Sequence, residues 1–129
     1  MEMDAKTMAR VKKAIRQDIA ELDKVSDLFG NTSLGYKNFN VLYCAGFAPK
    51  CTETVTVVVV AVKHKVVDDG YNVSVFEVYL RDNGEARAVY DGRAIVDFEN
   101  KKVLRHTVGY GSFDKEHADY FLDKMLRTQ

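Results

Sequence analysis

The amino-acid sequence predicts an α+β fold in which a long N-terminal helix packs on a four- to six-stranded antiparallel meander sheet, with a second helix at the C-terminus. Three observations lead to this prediction: an amphipathic helical pattern early in the chain, strand-like segments separated by turn residues in the middle, and a second helical pattern late in the chain. The chain has 129 residues, 47% of them hydrophobic, which is enough for one core. We therefore expect residues 1–129 to form a single domain.

The first predicted element is a helix over residues 4–29. Asp4 is a suitable N-cap, and Gly30 followed by Asn31 and Thr32 is a suitable end. At about 1.5 Å per residue, the helix is close to 40 Å long and can cross a whole sheet. Its apolar residues recur at spacings of three and four, as on one face of a helix: Met8, Val11, Ile15, Ile19, Leu22 and then Val25 or Phe29.

Residues 38–47 are predicted to form the first strand. Phe39, Val41 and Tyr43 alternate with other residues, and the glycines and Pro49 around the segment are typical of an edge strand.

Residues 54–66 are predicted to form the central strand of the sheet. The segment is β-branched almost throughout, contains no Gly or Pro, and is apolar on both alternating faces from Val57 to Val62. A helix is the competing interpretation of a continuous apolar run, but side chains this stiff favour a pleated strand that is covered on both faces.

Two Asx-Gly turns lead into the next strands. Asp68-Asp69-Gly70 precedes the predicted strand over residues 72–81, and Asn83-Gly84 precedes residues 85–90. Such pairs are typical of type I′ hairpin turns, in which both central residues have positive φ.

Asp91-Gly92 interrupts the next alternating run, which continues over residues 94–98. The interruption is either a bulge in one long strand or a turn between two short ones. Asn100-Lys101 then leads into a last strand over residues 103–108.

The C-terminal residues 112–129 are predicted to form the second helix, capped by Ser112 or Asp114. Its apolar stripe contains Ala118, Phe121, Leu122 and Met125. The order of elements resembles a cystatin-like roll, in which a bent sheet wraps around one helix, and this resemblance of fold implies nothing about function.

Composition narrows the classes of function. The chain has 19 basic and 19 acidic residues and a pI near 6.8, so a generally basic nucleic-acid-binding surface is not indicated, and a local patch on the first helix is only a third alternative. Its longest apolar run is far shorter than the roughly 20 residues of a membrane span, so we expect a cytoplasmic protein without membrane contact. We favour free thiols over a disulfide for Cys44 and Cys51. The three histidines are far apart in sequence, and we expect no metal and no cofactor.

Two groups of residues are candidates for binding a small ligand. The turn before the second helix has unpaired N–H groups that favour an anion, although the acidic first helical turn opposes one and a tight Gly turn is the simpler interpretation. His64 is either an acid or base at the rim of a pocket or a strand-end residue that reaches solvent, and we favour the second. The full set of candidates is His64, Tyr79, Asp91, Arg105, His106, Gly109, Gly111 and Ser112.

Two further groups are candidates for binding a partner protein. Basic residues follow one side of the first helix, where a solvated helix face is the simpler interpretation. Aromatic residues are dense around the first strand, where they either form an exposed anchor or close the core. These candidates are Lys6, Arg10, Lys13, Tyr36, Phe39 and Tyr43.

The sequence contains no nucleophile elbow, no phosphate-binding Gly-rich loop and no metalloprotease motif. We therefore expect a non-enzymatic binding protein, a small adaptor or inhibitor that acts by protein–protein contact, with edge strands that also favour a homodimer. The alternative is a protein that binds or sequesters a small anionic or nucleotide-like ligand, or a pocket enzyme, using a cavity between helix and sheet.

Overall fold

The computed structural model describes residues 3–28, 39–47, 51–108 and 115–129, and it confirms the α+β fold. A helix at each end of the chain flanks five strands. In chain order the elements are α1 (Ala5–Leu28), β1 (Asn40–Gly46), β2 (Val55–Val67), β3 (Gly70–Arg81), β4 (Ala86–Asp97), β5 (Lys102–Val108) and α2 (Lys115–Arg127).

The five strands form one antiparallel sheet in the order β1-β2-β3-β4-β5, so each strand pairs with its neighbours in sequence. This confirms the predicted meander. The central strand is β3, however, and not the segment over residues 54–66, which forms β2. The prediction of that segment as central was wrong because burial on both faces requires a cover on each face, not a middle position in the sheet.

The two helices cover opposite faces of the sheet. Val58, Val60 and Val62 of β2 belong to the core cluster that includes α1 residues, whereas Val59 and Ala61 belong to the cluster that includes α2 residues. This explains why the β2 sequence is apolar at every position. The sheet therefore lies between two helices and does not wrap around a single helix as in a cystatin-like roll.

The start of α1 is capped as predicted. Asp4 Oδ1 accepts a hydrogen bond from the Thr7 N–H at 2.7 Å, and this bond holds the pKa of Asp4 below its usual range. The predicted end of α1 and the predicted caps of α2 lie outside the described residues. Neither helix, over the part of the chain that the structure describes, is long and apolar enough to cross a bilayer.

The β3–β4 turn differs from the predicted type I′ turn. The Arg81 N–H donates to the Glu85 carbonyl at 2.9 Å, and the Gly84 N–H donates to the Arg81 carbonyl at 3.1 Å. Gly84 has a φ of 94°, while the only positive φ outside glycine in the described ranges is that of Lys101. The loop is therefore a three-residue connection with glycine in the left-handed position.

Glycine is required at position 70 because there is no room for a side chain. A Cβ atom at this position would lie 2.5 Å from the backbone oxygen of Val96 on β4. The β2–β3 turn therefore packs directly on the neighbouring strand backbone.

Asp91 is the extra residue of a bulge in one continuous strand. Val75 of β3 pairs with Gly92, and the next residue, Phe76, pairs with Tyr90. The bulge, and not a turn, is therefore the correct alternative. Asp91 is buried.

Both cysteines are free thiols in the structure. Cys44 is buried, and burial raises the pKa of its thiol to about 11. Cys51 is exposed.

Candidate functional site

Helix α1 and the first half of β4 enclose a groove of about 860 Å³, which we call the α1–β4 groove. The α1 side chains that line it recur at spacings of three and four and so form one stripe of the helix. The sheet side consists of the end of β3, the β3–β4 turn and the start of β4. The residues that line the groove include Arg10, Lys13, Asp18, Glu21, Tyr79, Arg81, Glu85, Ala86, Arg87 and Ala88.

Small side chains allow α1 to pack closely on β4. Ala14 of the helix is 3% exposed and Ala88 of the strand is 5% exposed, and both belong to the same core cluster. Ala86 packs against that cluster as well. Because neither partner carries a large side chain here, the helix lies beside the strand and forms a wall of the groove.

Arg10 attaches α1 to the β3–β4 turn. Its Nη2 donates to the carbonyl oxygens of Arg81 at 3.0 Å and Glu85 at 2.9 Å. The Nε of Arg10 is buried and has no hydrogen-bond partner among the described residues. Arg10 was predicted as a partner-binding residue. Its Nη2 instead holds α1 to the β3–β4 turn.

Asp18 contacts the outer edge of β4 two turns further along the helix. Its carboxylate accepts a hydrogen bond from the Tyr90 backbone N–H, while its Oδ2 is buried and has no hydrogen-bond partner in the described segments. Burial, and then the negative charge of Glu21, raise the pKa of Asp18. The Tyr90 N–H and the charge of Arg87 oppose this rise.

The direction of the β4 backbone groups follows from the hydrogen bonds at the turn. The carbonyl of Glu85 accepts a hydrogen bond from Arg81 on β3. Because backbone direction alternates along a strand, the N–H and C=O groups of the odd-numbered residues in this half of β4 point toward β3. Ala86, Ala88 and Tyr90 therefore direct their N–H and C=O groups outward. The bond from the Tyr90 N–H to α1 agrees with this alternation.

The outward groups of Ala86 and Ala88 meet no further strand among the described residues. Strand β5 pairs with β4 only from Arg93 to Asp97, on the far side of the bulge. The first half of β4 is therefore an edge that faces the α1–β4 groove. An edge of this kind can hydrogen-bond an additional extended chain.

The charges on the α1 side of the groove are divided between its two ends, while the sheet side carries both signs, with Arg81 and Glu85 at the turn and Arg87 acting on Asp18. Arg10 and Lys13 lie on the helix toward the β3–β4 turn, and Arg81 lies at that turn. Asp18 and Glu21 lie toward Tyr90. Lys13 and Glu21 are exposed and form no ion pair with the described residues.

A second groove, of about 320 Å³, lies between β1 and α2 on the opposite face of the sheet. Tyr43, a predicted partner-binding residue, lines it and packs on Phe121 with ring centroids 5.3 Å apart. Phe39, another predicted partner-binding residue, packs instead against the α1 core and lies under the guanidinium group of Arg16 at 5.4 Å. The predicted aromatic cluster is thus divided between the two faces of the sheet.

His64 does not reach solvent, so the favoured interpretation of this residue was wrong. It is 9% exposed, and its Nε2 lies 2.8 Å from the buried Ser74 Oγ. The reason is that β2 continues past this position to Val67, with a register shift between Lys63 and Lys65. The pair forms a polar contact inside the fold.

Arg105 and His106 attach β5 to two different elements. Arg105 forms an ion pair with Asp69 of the β2–β3 turn, with Nη2 and Oδ1 3.1 Å apart. His106 Nε2 lies 2.8 Å from Asp119 Oδ1 of α2. Adjacent residues of a strand point to opposite faces, so these side chains do not meet in one pocket.

Tyr79 lies far from this pair. It pairs with Arg87 of β4, whereas Arg105 pairs with Ile95, and eight residues of strand span about 26 Å. Tyr79 lines the α1–β4 groove, and Lys6 is exposed near the start of α1. The remaining predicted residues, Tyr36, Gly109, Gly111 and Ser112, lie outside the described residues.

Three residues of the groove were missed at the level of sequence: Asp18, Ala86 and Ala88. The alternating alanines at positions 86 and 88 were the available signal, because small side chains leave room for a neighbouring element to pack closely. No group of three or more His, Cys, Asp or Glu side chains that could hold a metal ion occurs in the described ranges. Comparisons with protein-family models, curated proteins and solved structures found no match.

Proposed function

We propose that the chain is a non-enzymatic binding protein, an adaptor or inhibitor that captures an extended segment of a partner protein in the α1–β4 groove. The observation that supports this proposal is the set of outward backbone groups at Ala86 and Ala88. The captured segment adds to β4 as a further strand and contacts α1 through its side chains. Because Ala88 is 5% exposed in the free chain, α1 moves away from this edge to admit the segment. Strand addition beside a helix is a recurring mode of peptide recognition.

The backbone contribution to such binding is modest. Ala86 and Ala88 offer two N–H and two C=O groups, and each hydrogen bond contributes about 0.5–1.5 kcal/mol net of water. Four such bonds contribute about 2–6 kcal/mol, from which the cost of ordering the segment must be subtracted. Contacts between the captured side chains and α1 therefore have to supply the rest of the affinity and most of the specificity.

Ala88→Pro tests the proposal. Proline at position 88 removes the N–H that points into the groove, and every hydrogen bond between β4 and β3 is kept. Proline is also tolerated on edge strands. Gly46→Pro is the matched control, because the Phe47 N–H donates to Val57 at 2.9 Å and the Gly46 N–H therefore faces outward at the opposite edge of the sheet. Affinity capture with quantitative mass spectrometry compares both variants with the original chain.

We expect Ala88→Pro to lose the captured partner and Gly46→Pro to retain it, with both variants folded by circular dichroism. Equal capture by all three proteins would exclude the β4 edge. Loss with Gly46→Pro alone would move the interaction to β1. Native mass spectrometry of the same samples shows whether a second copy of the chain is the partner, since a homodimer through β4 dissociates with Ala88→Pro.

A small anionic or nucleotide-like ligand is the second candidate, because the groove volume falls in the range of ligand pockets, about 300–1,000 Å³. Lys13, Arg81 and Arg87 supply positive charge at its surface. This candidate predicts saturable thermal stabilisation by an anion or nucleotide, lost with Arg81→Glu. A melting temperature that does not change with any of a set of anions and nucleotides counts against this candidate.

We also propose the cytoplasm as the site of action. Support comes from the two free thiols, of which Cys51 is exposed, since exposed thiols persist in a reducing compartment.

A further inference from the structure

Opposite charges at the two ends of the α1 side of the α1–β4 groove indicate what kind of segment fits it. Arg10 and Lys13 lie at the end near the β3–β4 turn, and Asp18 and Glu21 lie at the end near Tyr90. Building on the proposed strand addition, we propose that the captured segment runs antiparallel to β4. It carries a basic side chain and, about four residues later, an acidic side chain, both directed at α1.

The unsatisfied atoms of the groove support this assignment. At the basic end the Arg10 Nε has no acceptor, and at the acidic end the Asp18 Oδ2 has no donor, among the residues described. Both atoms are shielded from solvent in the free protein. Neither Arg10 nor Asp18 forms an ion pair within contact distance among the described residues. Arg10 bonds only neutral carbonyl groups, and the charge of Arg87 acts on Asp18 without a direct contact, so each can still bind an incoming group of opposite sign.

The spacing follows from helix and strand geometry. Arg10 and Asp18 are eight residues apart, which is about 12 Å along a helix. A strand rises about 3.3 Å per residue, so the same distance takes between three and four residues. Two side chains lie on the same face of a strand only when they are an even number of residues apart. The spacing between the basic and the acidic residue is therefore about four.

The direction follows from the order of the charges along β4. This strand runs from Ala86, at the basic end, to Tyr90, at the acidic end. A segment antiparallel to it starts at the acidic end and so presents its basic residue first. Antiparallel pairing is also somewhat more stable per residue than parallel pairing.

Three short peptides of alternating threonine and valine, blocked at both ends, test the inference. The first carries lysine and then glutamate about four residues later on one face, the second has these two residues exchanged, and the third has glutamine at both places. Each is titrated into isotope-labelled protein and followed by nuclear magnetic resonance. The proteins are the original chain, Ala88→Pro, and the double variant Lys13→Glu with Glu21→Lys, which keeps the net charge and leaves Arg10 and Asp18 unchanged.

We expect the original chain to bind the lysine-first peptide about two- to thirtyfold more tightly than the glutamate-first peptide, the range that two exposed ion pairs provide. The double variant should bind the lysine-first and glutamate-first peptides about equally, because each end of its helix then has one charge of each sign, and Ala88→Pro should bind neither peptide. Shift changes should be confined to residues of the groove.

Other outcomes separate the two proposals. Equal affinity for all three peptides, lost with Ala88→Pro, overturns the charge assignment and leaves strand addition intact. Tighter binding of the glutamate-first peptide to the original chain overturns the antiparallel direction. Absence of binding by every peptide at millimolar concentration overturns strand addition at β4 and the charge assignment with it.

Discussion

Gly70→Ala is a direct test of the packing of the β2–β3 turn on β4. The added Cβ would lie 2.5 Å from the Val96 oxygen, whereas ordinary contact begins at 3.4 Å, so the two backbones must separate by about 0.9 Å. Overpacking of this kind costs about 1–3 kcal/mol. Alanine also restricts the unfolded chain, which returns about 0.4–1 kcal/mol. The expected net loss is therefore about 1–2 kcal/mol.

Gly46→Ala is the control, because nothing lies within 4 Å of a Cβ built on Gly46. This variant should be unchanged in stability or gain up to about 1 kcal/mol. Urea unfolding followed by circular dichroism at 25 °C measures both, and thermal unfolding should show Gly70→Ala lower by about 3–10 °C. If Gly70→Ala were as stable as Gly46→Ala, the close approach of the turn to Val96 would be wrong.

Three further predictions follow from the described contacts. Cys51 should react with a thiol reagent in the native protein, whereas Cys44 should react only on unfolding, because its thiol is buried and its pKa is raised to about 11; equal labelling rates under native conditions would contradict this. Ser74→Ala should cost about 1–3 kcal/mol in urea unfolding, since it leaves buried His64 without this hydrogen bond, and an unchanged midpoint would show that the contact is dispensable. Asp69→Asn should lower stability at neutral pH, because Arg105 depresses the pKa of Asp69 in the folded state. The contribution of the ion pair is therefore present above the ordinary pKa of 3.8 and is lost as the pH falls through the folded-state pKa. A stability difference between the two proteins that is equally large at pH 2 would refute this origin.

The strands were largely predictable because their causes are local. Alternation, β-branched residues and Asx-Gly turns are properties of a few neighbouring residues, and they predicted strands β1 to β5 to within a few residues of the observed bounds. The Asp91-Gly92 pair is also a local signal, and it limited the choice to a bulge in one strand or a turn between two strands. Gly84 was correctly assigned to a turn, although the turn type depends on the backbone of both flanking strands.

The groove was not predictable from local pattern because it depends on contacts over long sequence distances. Arg10 and Lys13 were candidates for their charge alone, yet Arg10 acquires its role from carbonyl groups 71 and 75 residues away. Asp18 was not a candidate at all, because its role depends on the Tyr90 backbone of β4, 72 residues away. The position of β2 was misjudged because sequence shows how apolar a strand is and not how many strands lie on each side of it.

The same long separation has a consequence during synthesis of the chain. Helix α1 leaves the ribosome before the strands, and β3 and the start of β4, against which its apolar stripe packs, are completed only some 70 residues later. Until then the Val11, Ile15 and Ile19 side chains lack the part of their core cluster that β3 and β4 supply. Nascent chains that end before β4 should therefore hold α1 undocked and accessible to chaperones, and completion of the β3–β4 hairpin should be the event that protects it.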